Sequence, residues 1–239
     1  MTYLYDLKDK YNCCFIKGNK EDYWIDYRKG KDKEWQDNNS TTGSLLYTYT
    51  NLTDNDFDFF ENLNFVSQVN FEGCEALTIC HGSPHTVNEK MLYEDKRTAE
   101  IMKQDKNKYI LCGHTHIQTE YANEGKYMLN PGSVGLPLHS AGKTQFMILQ
   151  STANGWDKAF ISLDYDKEKV IEDLHAAELH IKAPYWCKVT ENMLRNGDVS
   201  HAQVLFRAMD IGRQKYGVCI YPDIPEDCWR QAVEEMRDC

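Results

Sequence analysis

The sequence predicts an α/β fold over residues 1–165 followed by a helical extension over residues 166–239. Three observations lead there. Short apolar runs recur through the first two-thirds of the chain. Several end at a glycine beside an asparagine or a histidine, as in Ile16-Lys17-Gly18-Asn19, Ile79-Cys80-His81-Gly82 and Leu111-Cys112-Gly113-His114. Helix-patterned stretches separate these runs. After Asp166 the runs stop and apolar residues return at helical spacing, beginning with Val170, Ile171 and Leu174.

A length of 239 residues suits one large domain, or a domain with a small extension, and suffices to bury a sizeable core. The chain has 27 basic and 37 acidic residues, a net charge of −10. That balance argues against general nucleic-acid binding and against an anionic membrane surface. An anionic substrate would need a local positive feature, such as a metal cluster. The nine cysteines are odd in number, and no two have CxxC spacing. Several lie in apolar runs. They read as small buried residues in a reducing compartment, not as a disulfide framework or a zinc ribbon. The N-terminus has no basic segment followed by an apolar one, and no stretch is long and apolar enough to span a bilayer. The expected location is the cytoplasm, with no membrane partner.

In chain order, Leu4 and Leu7 put residues 2–11 in an amphipathic helix. Cys13 to Lys17 predicts a short strand running into Gly18-Asn19-Lys20-Glu21-Asp22. An asparagine at a turn is ordinarily turn chemistry; here its amide oxygen is also a candidate neutral metal ligand. Residues 23–43 predict a helix and then a polar loop. Thr53 or Asp54 is a candidate N-cap for a helix whose face carries Phe57, Phe59, Phe60 and Leu63. The acidic run Asp54, Asp56, Asp58 lacks the glycine and distal glutamate of a calcium loop, so it reads as a helix start.

Phe65 to Phe71 and Ala76 to Cys80 predict a hairpin-like pair of strands. Residues 88–105 are helical in composition. Tyr109 to Cys112 predicts a strand ended by Gly113, from which His114 and His116 leave together. Such a pair can serve one metal from both rings or two metals from one ring each. Tyr127 to Leu129 predicts a strand ending in the turn signal Asn130-Pro131-Gly132-Ser133. Gln145 to Gln150 and Lys158 to Leu163 are the last strands, turning at Asn154-Gly155. Helices follow at about 185–196, 201–216 and 226–237. In this tail His175, His180 and His201 are assigned surface or packing roles, without converging partners. His85 and His139 lie near the candidate site in sequence but match no ligand position.

The order Gly18-Asn19, His81-Gly82, Gly113-His114-Thr115-His116 and Asn130-Pro131-Gly132-Ser133 resembles the calcineurin-like metallophosphoesterase superfamily, especially its small bacterial phosphodiesterase-like branch. The resemblance runs from about Cys13 to Leu163. It implies a four-layer β-sandwich flanked by helices, with a two-metal centre at its edge. It implies that Asn19, His81 and His114 hold one divalent ion and His116 the other. Manganese, iron, zinc, nickel or magnesium would serve, and manganese is favoured. Two such ions clamp a phosphoryl oxygen and generate hydroxide. His81 and His114 would then belong to the catalytic centre, acting on a small phosphoester or a nucleotide.

Two departures from the family pattern carry expectations. The family opens with an Asp-x-His motif and a Gly-Asp motif, and residues 1–17 contain neither. Two aspartates and a histidine are thus missing, and the chain reads as an N-terminally incomplete fragment. An uncovered apolar sheet edge and self-association through it are expected. Where the family often has a histidine after Gly-Asn, this chain has Lys20. Beside dications a lysine can donate a proton to the leaving group; it can equally point to solvent. The reading is therefore a metal-dependent phosphoester hydrolase, phosphodiesterase or phosphatase. The alternative is an inactive remnant that binds at most one metal and acts through a partner.

Overall fold

Strands covered on both faces read as near-continuous apolar runs, and three of the runs above behave so. The computed structural model describes residues 1–31 and 34–237. Its strands are β1 (Val66–Val69), β2 (Leu77–Cys80), β3 (Tyr109–Leu111), β4 (Gln118–Asn123), β5 (Lys126–Pro131), β6 (Thr144–Thr152) and β7 (Gly155–Leu163). Its helices are α1 (Thr2–Lys10), α2 (Asn19–Arg28), α3 (Gly43–Thr50), α4 (Asp54–Glu61), α5 (Lys96–Gln104), α6 (Lys167–Ala176), α7 (Leu179–Lys182), α8 (Pro184–Arg195), α9 (His201–Tyr216) and α10 (Glu226–Arg237).

Five strands form a sheet in the order β1-β2-β3-β5-β4. The central three are parallel, with Ile79 opposite Leu111 and Leu111 opposite Leu129. The outer two run antiparallel to their neighbours. β6 and β7 form a separate two-stranded sheet. Alternation of side chains sends Leu77, Tyr109 and Leu129 to one face, where they meet Met147, Leu149 and Trp156 of the hairpin. Ile110 and Met128 face the other way, onto Ile101 and Met102 of α5 and onto Met91. The result is a sandwich of a five-stranded and a two-stranded sheet with a helix on its far side, the α/β layering expected. Among the described residues β6 pairs only with β7. Beside it opens a cleft of about 590 Å³, lined by Val69, Phe71, Leu77, Ile79, Leu149 and Trp156 among others.

Four local expectations need correction. Cys13 to Lys17 forms no strand; it makes one parallel bridge, Ile16 to Asn64, and Cys13 and Cys14 stay exposed without a neighbour to pair with. The next helix begins at Asn19 rather than near residue 23, because Glu21 Oε2 accepts the Gly18 N–H at 2.8 Å and closes the first turn. The helix expected over 88–105 shortens to α5, since Asp95 caps it by accepting from the N–H groups of Arg97 and Thr98. β4 went unpredicted. Its sequence, Gln-Thr-Glu-Tyr-Ala-Asn, has no apolar alternation, and it owes its place to the two-residue turn at Glu124 and Gly125, both with positive φ. By contrast, Thr53 caps α4 as expected, in a reciprocal box with Asp56.

The chain divides into two units. The first comprises Met1–Asp32, Leu52–Gly132 and Phe146–Ile161. It holds both layers of the sandwich and an aromatic cluster in which Phe59 meets Tyr5 and Phe15 edge-on. The second comprises Lys33–Asn51, Ser133–Gln145 and Ser162–Cys239. This division differs from a cut at residue 165, because α3 and the loop before it pack with the C-terminal helices. Trp229 donates to Thr41 Oγ1 at 2.9 Å, and Ser40 donates to Glu226 through both its N–H and its hydroxyl. The helical core joins Val189, Met193, Val204, Ala208, Ile211 and Trp229.

Within that unit Gly43 lies so close to α7 that a Cβ there would stand 1.9 Å from the Lys182 carbonyl oxygen. Gly43→Ala must push backbone against backbone. It should destabilise the chain by about 1–3 kcal/mol, read as a lower urea midpoint with an unchanged slope. An unchanged midpoint would show that the two segments do not pack this closely.

Candidate metal centre

Parallel pairing of β2, β3 and β5 brings three carboxyl-terminal strand ends to one edge of the sheet. His81 follows β2, Gly113 and His114 follow β3, and Asn130 lies near the end of β5. Asn19 arrives from the first turn of α2. Three donor atoms converge: His81 Nε2 lies 3.0 Å from Asn19 Oδ1 and 3.1 Å from His114 Nδ1. Metal–ligand bonds of about 2.0–2.2 Å put neighbouring ligands about 3 Å apart, so these separations fit the edges of one coordination shell. The residues present fit one divalent ion.

His116 stands apart from this group. It does not join His81 and His114 in a trio of ligand atoms within 4.8 Å, and among the described residues no Asp or Glu does so either. Its ring is close enough to act electrostatically on both. A second ion would thus find only His116 of the four expected ligands. Among the described residues no trio of His, Cys, Asp or Glu ligand atoms includes His116.

The loop carrying the pair is unusual. His114 and His116 both have left-handed backbone, φ 62° and 60°. Such angles are uncommon outside glycine and collect at functional sites. The Thr115 N–H donates to the Gly113 carbonyl at 2.6 Å, closing a three-residue turn around His114. One buried amide secures it: Asn130 Nδ2 donates to Gly113 O at 2.8 Å and to Thr115 Oγ1 at 2.9 Å. Asn130 has no exposed surface, and its Oδ1 accepts the Gly132 N–H at 3.0 Å. From sequence Asn130 read only as a turn residue. Its bracing role had no signal beyond its place after a strand.

Glycines make room for the rings. A Cβ on Gly18 would come within 3.2 Å of His81 Nδ1, and one on Gly82 within 2.5 Å of the Val87 carbonyl oxygen. The Gly113 N–H donates to His81 O at 2.7 Å, tying the two histidine loops together.

Burial and neighbouring charge disfavour protonation of His81 and His114. Desolvation, then the positive charge that His114 and His116 would carry, pushes His81 down to about 4. His114 is lowered by desolvation first, then by Lys90, His116 and Lys20; a hydrogen bond to the Asn88 backbone works against these. With Nδ1 facing His81, that bond leaves Nε2 as the donor. An imidazole whose far nitrogen is so held presents its lone pair to a metal. Lys20 keeps an exposed side chain, yet desolvation lowers its ammonium pKa, with Glu21 opposing; its Nζ lies 4.9 Å from the Tyr23 ring centroid. Asp22 pairs with Lys17 at 2.7 Å. Ser133 accepts the Leu136 N–H, as a turn residue does. His139 belongs to the other unit and its N–H donates to Gly197 O. His201 is a packing residue, stacked on Trp186 and bonded to Thr190.

Comparison with known proteins places this architecture. The family description "Calcineurin-like phosphoesterase superfamily domain" matches residues 2–154. An uncharacterised protein of Methanocaldococcus jannaschii is 24% identical over 179 residues, 68% of this chain and 70% of that protein. A hypothetical protein of Pyrococcus horikoshii aligns with a TM-score of 0.66 at 15% identity, over 83% of this chain and 79% of its own. A metallophosphoesterase of Sphaerobacter thermophilus aligns with a TM-score of 0.58 at 17% identity, over 76% of each chain.

Two outcomes are expected of this centre. In the metal-free protein, the His81 ring followed by NMR should titrate near 4 rather than 6.5. The sign follows from linkage. Below about 6.5 the unfolded chain binds a proton that the folded one refuses, so this histidine erodes stability as pH falls towards 4. A midpoint near 6.5 would refute the desolvated pair. Asn130→Ala should weaken manganese binding by about 10–100-fold, the scale on which outer-shell partners act. Calorimetry showing wild-type affinity would remove Asn130 from the site.

Proposed function

The chain belongs to the calcineurin-like phosphoesterase superfamily, and from that premise we propose that it is a metal-dependent phosphoester hydrolase. The observation that carries the reading is the convergence of Asn19 Oδ1 and His114 Nδ1 on His81 Nε2, each within hydrogen-bonding distance of it. These three atoms are the ligands we assign to the first ion. His116 is the ligand assigned to a second, weaker one. Manganese is the favoured occupant, since imidazole-rich ligation prefers transition metals to magnesium. When bound, the metal supplies Lewis acidity towards a phosphoryl oxygen and activates water for attack.

The chain's own residues supply orientation and charge. Asn19 and the histidines are all neutral donors, so a dication held by them keeps its full charge for an anionic substrate. Lys20 and Lys90, whose charges are felt at His114, add to that field. Lys20, with its ammonium pKa lowered by desolvation, is the residue we assign to protonate the leaving oxygen. The substrate class is a small phosphoester or nucleotide. A cytoplasmic site of action is inferred from cysteine usage. No helix among the described residues is long and apolar enough to cross a membrane.

One observation favours a second reading. No carboxylate joins His81 and His114 among the described residues, so a chain limited to these ligands would hold one ion and act, if at all, through a partner. Manganese stoichiometry after dialysis separates the two. One tightly bound and one more weakly bound ion per chain support the hydrolase. One or none supports the second reading. For the hydrolase, His114→Ala should abolish manganese-dependent cleavage of a chromogenic phosphodiester, and retained turnover would refute the assignment.

A further inference from the structure

His175 does not stand without converging partners, as its place in the helical tail had led us to expect. It leaves the last turn of α6 and its Nε2 lies 2.8 Å from Glu191 Oε1 on α8. Cys187 sits one helical turn before Glu191, and its Sγ lies 3.8 Å from the same oxygen. The three ligand atoms are all within 4.8 Å of one another. Among the described residues this is the one group of three or more His, Cys, Asp or Glu side chains that meets that limit.

We propose that His175, Cys187 and Glu191 form a further metal site, for a zinc-class dication that staples α6 to α8. The spacing supports it. Residues four apart share a helix face, the arrangement by which helices present two ligands to one ion. Zinc bonds of about 2.0–2.3 Å place tetrahedral ligands roughly 3.3–3.6 Å apart. To reach that shell the 2.8 Å separation opens by roughly 0.5 Å, the 3.8 Å separation closes slightly, and the third, within 4.8 Å, closes by about 1.5 Å at most. The donor chemistry is selective: a thiolate with an imidazole and a carboxylate suits zinc and excludes the hard ions magnesium and calcium. Binding releases the thiol proton as the metal–sulfur bond forms, with no redox change.

The surroundings fit an outer shell. Arg195 Nη1 approaches the other carboxylate oxygen of Glu191 at 3.4 Å, and Arg195 also grips Glu168 at the start of α6 through two bonds of 2.9 and 2.8 Å. That clamp fixes the carboxylate and holds the two helices together. Cys187 is fully buried, whereas about half of the His175 side chain is exposed, which gives an entry path from solvent. His180 stacks flat on His175 with ring centroids 4.5 Å apart, so the fourth position falls to water.

Cobalt titration tests the site, because only thiolate-bound cobalt gives an intense near-ultraviolet charge-transfer band. The protein would carry Cys13→Ser and Cys14→Ser, removing the two thiols that are exposed among the described residues, and His81→Ala, disabling the other centre. The expected result is a band saturating at one cobalt per chain and displaced by zinc. Cys187→Ser should abolish it. His175→Ala, at a half-exposed position, with its fold checked by circular dichroism, should raise the cobalt needed by about tenfold or more. No band under excess cobalt, or a band that survives both substitutions, would overturn the proposal.

Discussion

Parallel pairing of β2, β3 and β5 is the constraint on which the candidate metal centre depends. Parallel neighbours must end on the same side, so whatever follows each strand is delivered to a common edge. Here the residues delivered are His81, the Gly113–His116 loop and Asn130. Burial on both faces holds the register: Met128 and Leu129 have no exposed surface, and a slip of one residue would exchange the side chains packed on α5 with those packed on the hairpin. The core therefore sets the positions of the ligands to within a hydrogen bond's length.

Within that frame the loop geometry is maintained against its own preference. Two histidines in left-handed backbone are each strained on the scale of about 1–3 kcal/mol, and the hydrogen bonds from one buried amide offset part of it. The arrangement brings His114 to the ring of His81 and His116 close enough to act on both, from a segment of only four residues. Alternate residues serve structure: Gly113 accepts from Asn130 through its carbonyl, and Thr115 does so through its hydroxyl. Candidate ligand and brace thus alternate along the loop.

Much of this was legible in the sequence, for physical reasons that differ by element. The apolar runs at β2 and β3 and the histidines after them were plain, because strands buried on both faces admit few polar residues. The hairpin of β6 and β7 announced itself through Asn154-Gly155, and Thr53 through its capping pattern. β4 was hidden, since an edge strand of polar residues is made by its neighbour and its turn rather than by its own composition. Cys13 to Lys17 misled in the opposite direction, being apolar enough for a strand but pairing only through the single bridge of Ile16 to Asn64. Asn130 could not be told from any other turn asparagine, and the meeting of His175 with Cys187 and Glu191 depends on how α6 packs on α8, which no local pattern encodes.

The left-handed angles at His114 and His116 bear on how mutational scanning of this loop should be interpreted. Alanine at either position deletes a ring and also installs a Cβ residue with less tolerance for that backbone, so loss of ligation and loss of conformation are superimposed. Asparagine separates them, because it enters the left-handed region readily and still offers an oxygen donor. Glycine isolates the complementary quantity, accepting the backbone while offering no donor. A three-way comparison of alanine, asparagine and glycine would apportion the loop's contribution between chemistry and shape.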